Sequence, residues 1–108
     1  MTLNELQAKT DKWIKEYGVR YYSELTNTVI LMEEVGEMAR IVARKYGEQS
    51  CKQSDTDLDL ADEIADVLFV LTCIANQCDI NLEDAVKKNF DKKTKRDSTR
   101  HKNNPKLL

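Results

Sequence analysis

The chain has 108 residues, 41% hydrophobic and 33% charged, with three glycines, one proline and a formal net charge of −2. The length fits one domain with a limited core, and the composition excludes a disordered chain and argues against a turn-rich β-sandwich. The near-neutral charge excludes polyanion binding by bulk attraction, so no nucleic-acid partner is expected.

Apolar spacing predicts four helices. The first runs from about Leu3 to Tyr17 and ends near Gly18. The second runs from Glu24 to Tyr46, with Ser23 as N-cap and Gly47 as stop. A polar linker, Glu48 to Thr56, precedes a third helix from Asp57 to Cys78. The fourth opens at Asn81, a good N-cap, with Glu83 and Asp84 in its first turn, where acids favour the helix dipole. It continues through the lysine-rich stretch to Arg96. This gives one domain over 1–97, followed by a polar tail, 98–108, expected to be mobile.

The three cysteines, Cys51, Cys73 and Cys78, lack CxxC spacing and read as small hydrophobes rather than zinc ligands. No signal-peptide core stands at the N-terminus. The most apolar run, Val67 to Ala75, is well short of the ~20 residues a membrane span needs. A cytoplasmic location without membrane contact is expected.

At about 100° per residue, the second helix carries Leu25, Val29, Met32, Ala39, Val42 and Ala43 on one stripe. Glu34 and Glu37 lie on the opposite side, yet Ile30 and Ile41 flank them, so that side is not plainly solvent-facing. The third helix is apolar around nearly its whole circumference, the signature of a helix buried among neighbours. Asp59, Asp62, Glu63 and Asp66 interrupt it on one arc.

Two acidic patterns result: Glu33, Glu34 and Glu37 form EExxE, and Glu63 and Asp66 form ExxD. Spacings of three place each pair on adjacent turns of one face. Two such helices side by side would converge four carboxylates, hard oxygen ligands that suit Mg²⁺ or Mn²⁺ rather than zinc. A solvated face would mix signs, but Glu33–Glu37, Asp59–Glu63 and Asp62–Asp66 are like-charge i, i+4 pairs. No Lys or Arg occurs from Gln53 through Val86. Gly36, inside EEVGE, costs ~1 kcal/mol in a helix relative to alanine. It reads either as a tolerated glycine or as room for the third helix to approach and share a cation.

Positive charge follows the acids, from Lys87 to Lys106. With only Phe90 interleaved, the segment fits a phosphate grip better than a single-strand nucleic-acid surface. Trp13, Tyr17, Tyr21 and Tyr22 cluster near the first helix end as core, interface or base contacts. His101 stands alone in the tail.

The run Leu31 to Arg40 (LMEEVGEMAR) followed by Asp62 to Leu68 (DEIADVL) resembles the MazG-like, all-α nucleoside triphosphate pyrophosphohydrolases, especially their small single-domain, YpjD-like members. The resemblance covers about Gln7 to Arg96. It implies a four-helix-type bundle assembled with a second subunit as a homodimer or homotetramer. It also implies Mg²⁺ (Mn²⁺ as substitute) held by Glu34, Glu37, Glu63 and Asp66. Glu33 would bind a second metal or act as base, with Glu33 or Glu34 taking the proton of the attacking water. Lys92 and Arg96 match the phosphate-contacting segment, and Trp13 is the candidate base contact. The implied reaction converts (d)NTP to (d)NMP and pyrophosphate, in nucleotide-pool housekeeping. A phosphoribosyl-ATP pyrophosphohydrolase would share the metal site, and a non-enzymatic helical interaction module would use the acids as a docking patch. The tail lacks the aromatic residue that some relatives carry after their last basic positions.

Overall fold

The computed structural model describes residues 1–49 and 59–108. Cys51, most of the expected linker, and Asp57 and Leu58 lie outside these residues. Among the described residues there are four α-helices and no strand: α1 (Leu3–Trp13), α2 (Glu24–Tyr46), α3 (Leu60–Gln77) and α4 (Leu82–Asp97). The all-α expectation holds.

Local chemistry explains the ends. A capping box opens α1: the Thr2 hydroxyl accepts from the Glu5 amide at 3.1 Å, and the Glu5 carboxylate accepts from the Thr2 amide at 3.3 Å. The helix then widens into a π-helical turn, Ile14–Gly18. The left-handed residue that follows is Val19, with φ 71°, not the glycine. A β-branched side chain is a steric outlier there. Ser23 caps α2 through the Thr26 amide at 3.2 Å. At its other end a Cβ on Gly47 would meet the Ala43 carbonyl oxygen at 2.5 Å, so only glycine fits that stop. Asp59 caps α3 through the Ala61 amide at 2.9 Å, and Asn81 caps α4 through Asp84 at 2.9 Å. Beyond α4 the tail makes turns and a short 3-10 helix, Pro105–Leu107.

The main packing unit is the antiparallel pair α2–α3: Asn27 near the start of α2 donates to Gln77 at the end of α3 at 2.7 Å. Across α3, α1 is held by reciprocal amide bonds between Gln7 and Asn76, both 3.0 Å. Asn76 also donates to the Tyr21 hydroxyl at 3.1 Å, and Tyr21 donates to Asp11 at 2.7 Å. Desolvation and the Asp11 bond push the Tyr21 hydroxyl up to about 12. By contrast α4 packs on α1 near its own N-terminus, through Asn4–Glu83, Asn4–Asn81 and Gln7–Leu82 bonds of 2.8–2.9 Å. None of its residues is buried.

The apolar pattern is turned inside out relative to a self-sufficient bundle. The α2 face toward α3 carries buried Asn27 and Ile41 with half-buried Ile30, Glu34 and Met38. The apolar stripe lies outside instead, with Leu25 77% and Met32 58% exposed and Val29, Ala39 and Val42 exposed between and beyond them. Nor is α3 buried all round: Ile64 is 51% exposed, and Leu68 and Leu71 continue that exposed stripe. Among the described residues the buried apolar core is small, comprising Ile14, Ile41, Val70, Cys73 and Ala75. The radius of gyration, 17.7 Å, exceeds the ~13 Å of a compact domain this long. Gly36 belongs to the outer stripe. A Cβ there would meet nothing within 4 Å, so it makes no room for α3, and that expectation is corrected.

Candidate active site

Glu34 is half-buried on the side of α2 that faces α3, and Glu37, although exposed, reaches the same cluster. One carboxylate oxygen each from Glu34, Glu37 and Glu63 lies within 4.8 Å of the other two. The spacing of three between Glu34 and Glu37 on α2, with antiparallel pairing to α3, brings them to one level of the groove with Glu63. Glu34 Oε2 and Glu63 Oε2 are buried and make no hydrogen bond. Buried carboxylate oxygens without donors are costly, and a cation is the partner that would satisfy them.

Electrostatics agree with the geometry. Desolvation pushes the Glu34 carboxyl above its ordinary value, and the charges of Asp66, Glu37, Glu63 and Glu33 push the same way. Glu63 is raised by desolvation first, then by Glu37, Asp66 and Asp62, while Arg40 offsets part of the repulsion. Asp66 lies outside the tightest set of three but is the largest neighbouring charge on Glu34. The donor set is all carboxylate oxygen, which fits a hard divalent cation and not a soft one. Glu33 is exposed beside the cluster. Of the other acids on α3, Asp59 is spent as a cap and Asp62 lies exposed in the first turn.

The basic candidates stand differently. Lys92 and Arg96 are on α4, whose packing partner is α1, not the α2–α3 pair that carries the acids. Arg96 is held by Asp97 in two bonds of 2.9 and 2.8 Å, and Asp97 also reaches Arg100 at 3.3 Å. Nearer the site is a lysine that sequence reasoning passed over: Lys9 of α1 shares a cavity with Asp66, Thr10, Trp13 and Phe69. Nothing in its local sequence marks it; only the crossing of α1 over α3 brings it there. Trp13 packs edge-on against Phe69 with ring centroids 5.6 Å apart. It also lines a larger cavity of about 530 Å³ between α1, α2 and α3. Cys73 borders that cavity as a buried free thiol, pushed by burial up to about 11, and acts as the small hydrophobe expected.

Among the described residues no helix is long and apolar enough to cross a membrane. The profile of the MazG nucleotide pyrophosphohydrolase domain matches residues 22–101. YpjD of Bacillus subtilis (strain 168) is 41% identical over 99 residues, covering 92% of this chain and 89% of the relative. YvdC of the same organism is 32% identical over 99 residues, covering 82% and 93%. The crystal structure of B. subtilis YpjD superposes with a TM-score of 0.76 at 41% identity, covering 85% of this chain and 94% of that one. A Bacillus-conserved MazG protein, a nucleotide pyrophosphohydrolase, superposes with a TM-score of 0.71 at 35% identity, covering 85% and 88%. With the four-helix architecture and the acidic groove already in hand, these matches place the chain in the MazG nucleotide pyrophosphohydrolase domain family, as a small all-α member similar to YpjD.

Proposed function

We propose that the chain hydrolyses nucleoside triphosphates between the α and β phosphates, releasing nucleoside monophosphate and pyrophosphate with Mg²⁺ as cofactor. The observation that carries this reading is the meeting of Glu34, Glu37 and Glu63, with two buried oxygens lacking any donor. Glu34, Glu37, Glu63 and Asp66 would hold the ion. When bound, it polarises the phosphoryl group and neutralises its charge. Glu33, exposed beside the cluster, would accept the proton of the attacking water. Lys9 beside Asp66 supplies a positive charge for the polyphosphate, and Lys92 and Arg96 are further candidates. Arg96 would have to exchange Asp97 for phosphate. Trp13 would contact the base.

The working unit is a homo-oligomer built on the outer stripes of α2 and α3. Leu25, Val29, Met32, Gly36 and Ala39 follow alternating steps of four and three, as do Ile64, Leu68 and Leu71. Two such stripes side by side are half of a bundle, and a second copy supplies the other half. This accounts for the small core and the large radius of gyration together.

The test is pyrophosphate release from a panel of canonical and modified (d)NTPs and phosphoribosyl-ATP, with Mg²⁺ and with chelator. Metal-dependent release from nucleoside triphosphates is expected. Release from phosphoribosyl-ATP alone would replace the substrate class. Silence across the panel from folded protein would leave the acids as a docking patch.

A further inference from the structure

The cavity of about 530 Å³ lies one helical turn from the acids along the α2–α3 groove. Ile30, four residues before Glu34, lines it from α2, and Phe69, three residues after Asp66, lines it from α3. Its size falls in the ordinary range of small-molecule sites. Most of the wall is apolar or aromatic, including Trp13, Val19 and Cys73. The π-helical turn Ile14–Gly18 and the left-handed Val19 both border it. Such irregular backbone clusters at functional sites.

One polar side chain in this wall is almost wholly buried: Asn27 is 5% exposed. Its amide is oriented by a chain of bonds with a fixed end. The Tyr22 carbonyl can only accept, so it takes the Gln77 Nε2 proton, and Gln77 Oε1 is left to accept from Asn27 Nδ2 at 2.7 Å. Asn27 Oδ1 therefore cannot exchange places with Nδ2 without breaking the relay, and among the described residues no group donates to it. An amide oxygen of fixed orientation, with no donor among the described residues and in the wall of an apolar cavity one turn from a phosphate-type site, is the acceptor that an N–H of a ligand would use.

We infer that this cavity takes the nucleobase of the substrate and that Asn27 Oδ1 selects bases carrying an exocyclic amino group over their keto counterparts. This rests on the nucleotide reading given above. An exocyclic amino group stands clear of the ring and reaches an acceptor unopposed. The ring N–H of a keto base has a carbonyl oxygen beside it, which Oδ1 repels. Gln77 is a positioning residue that acts through Asn27.

Two pairs of nucleotides that differ only at this edge, cytosine against uracil and adenine against hypoxanthine, test the idea. For the wild-type protein, kcat/KM is expected to favour the amino member of each pair by about tenfold to a hundredfold, the scale of leaving one hydrogen bond unmade. In Asn27→Leu and Gln77→Leu the preference should collapse to within about threefold, through the amino member, while cleavage of the keto member persists. The sole tryptophan lines the cavity, so the monophosphates, which are not cleaved, give a second readout on wild-type protein. Trp13 fluorescence should respond to the cytosine and adenine monophosphates at lower concentration than to the uracil and hypoxanthine ones. Equal cleavage and equal titration within each pair by wild-type protein overturn the inference while leaving the pyrophosphohydrolase reading intact. So does a preference that survives in folded Asn27→Leu. Wild-type protein that neither cleaves nor binds any nucleotide overturns both.

Discussion

The two long faces of α2 reverse the usual division of labour in a helix. Its inner face holds Asn27 and Glu34 against α3, with Glu37 exposed beside them, and its outer face holds Leu25, Val29 and Met32 in the open. Stability would favour the opposite arrangement, since like charges brought together out of water repel and exposed apolar surface forfeits about 25 cal/mol per Å². Both departures make sense if each face waits for something the single chain does not supply, a cation inside and a second helix pair outside. The faces can be tested separately.

The largest effect is expected on the inner face. Glu37→Gln should lower turnover on the order of a thousandfold, the scale of one electrostatic partner of a transition state, while the far-ultraviolet circular dichroism stays helical. Without metal the variant should melt no lower than wild type, because a charge has left a repelling cluster. Activity within a few-fold of wild type would remove Glu37 from the site. On the outer face, Met32→Glu puts a carboxylate in the middle of the stripe. It should raise the dissociation constant of the assembly more than about a hundredfold by sedimentation, since a buried unpaired charge costs several kcal/mol. It should also abolish the concentration dependence of Tm expected of wild type.

A pH titration reaches the inner face without mutation. The folded chain holds the Glu34 and Glu63 carboxyls above their ordinary values, so in the window between ordinary and raised values it binds more protons than the unfolded chain. Their contribution to stability is therefore full below that window and declines as pH rises through it. Bound Mg²⁺ should reverse the trend, because it favours the ionised carboxylates of the folded state and competes with their protons. Thermal melts from pH 4 to 8 with chelator and with Mg²⁺ should diverge as pH rises, and parallel curves would argue against a shared cation.

Periodicity and capping made the helices legible in the sequence, from Ser23, Gly47 and Asn81 to the four-helix count. The meeting of Glu34, Glu37 and Glu63 was legible for a further reason. Like charges at i, i+4 with no basic residue nearby have no surface explanation. What escaped was whatever depends on how helices cross. Lys9 shares a cavity with Asp66 only because α1 lies over α3, and Asn27 faces Gln77 only in the antiparallel register of α2 and α3. The direction of the α2 stripe escaped as well, because hydrophobic periodicity gives the angle between faces and not which one turns inward. For the same reason the sequence left Gly36 open between a tolerated glycine and room for α3.

Gly36 gives the smallest and most discriminating perturbation of the outer face. In the separate chain its Cβ position opens on empty space, so Gly36→Ala should cost nothing in contacts and should stabilise α2 by roughly 0.5–1 kcal/mol through helix propensity. In an assembly whose partner helix crosses α2 there, the methyl meets that helix, and close helix approach is lost. The two effects have opposite signs in two observables. Stability of the Met32→Glu background should rise on adding Gly36→Ala, while the dissociation constant of the otherwise wild-type assembly should increase by about threefold to thirtyfold, the range of a tight packing contact of roughly 1–2 kcal/mol. An increase in Tm with no change in association would mean that the partner covers the stripe away from Gly36. The glycine would then be a tolerated weakness of α2 and not the crossing point of the assembly.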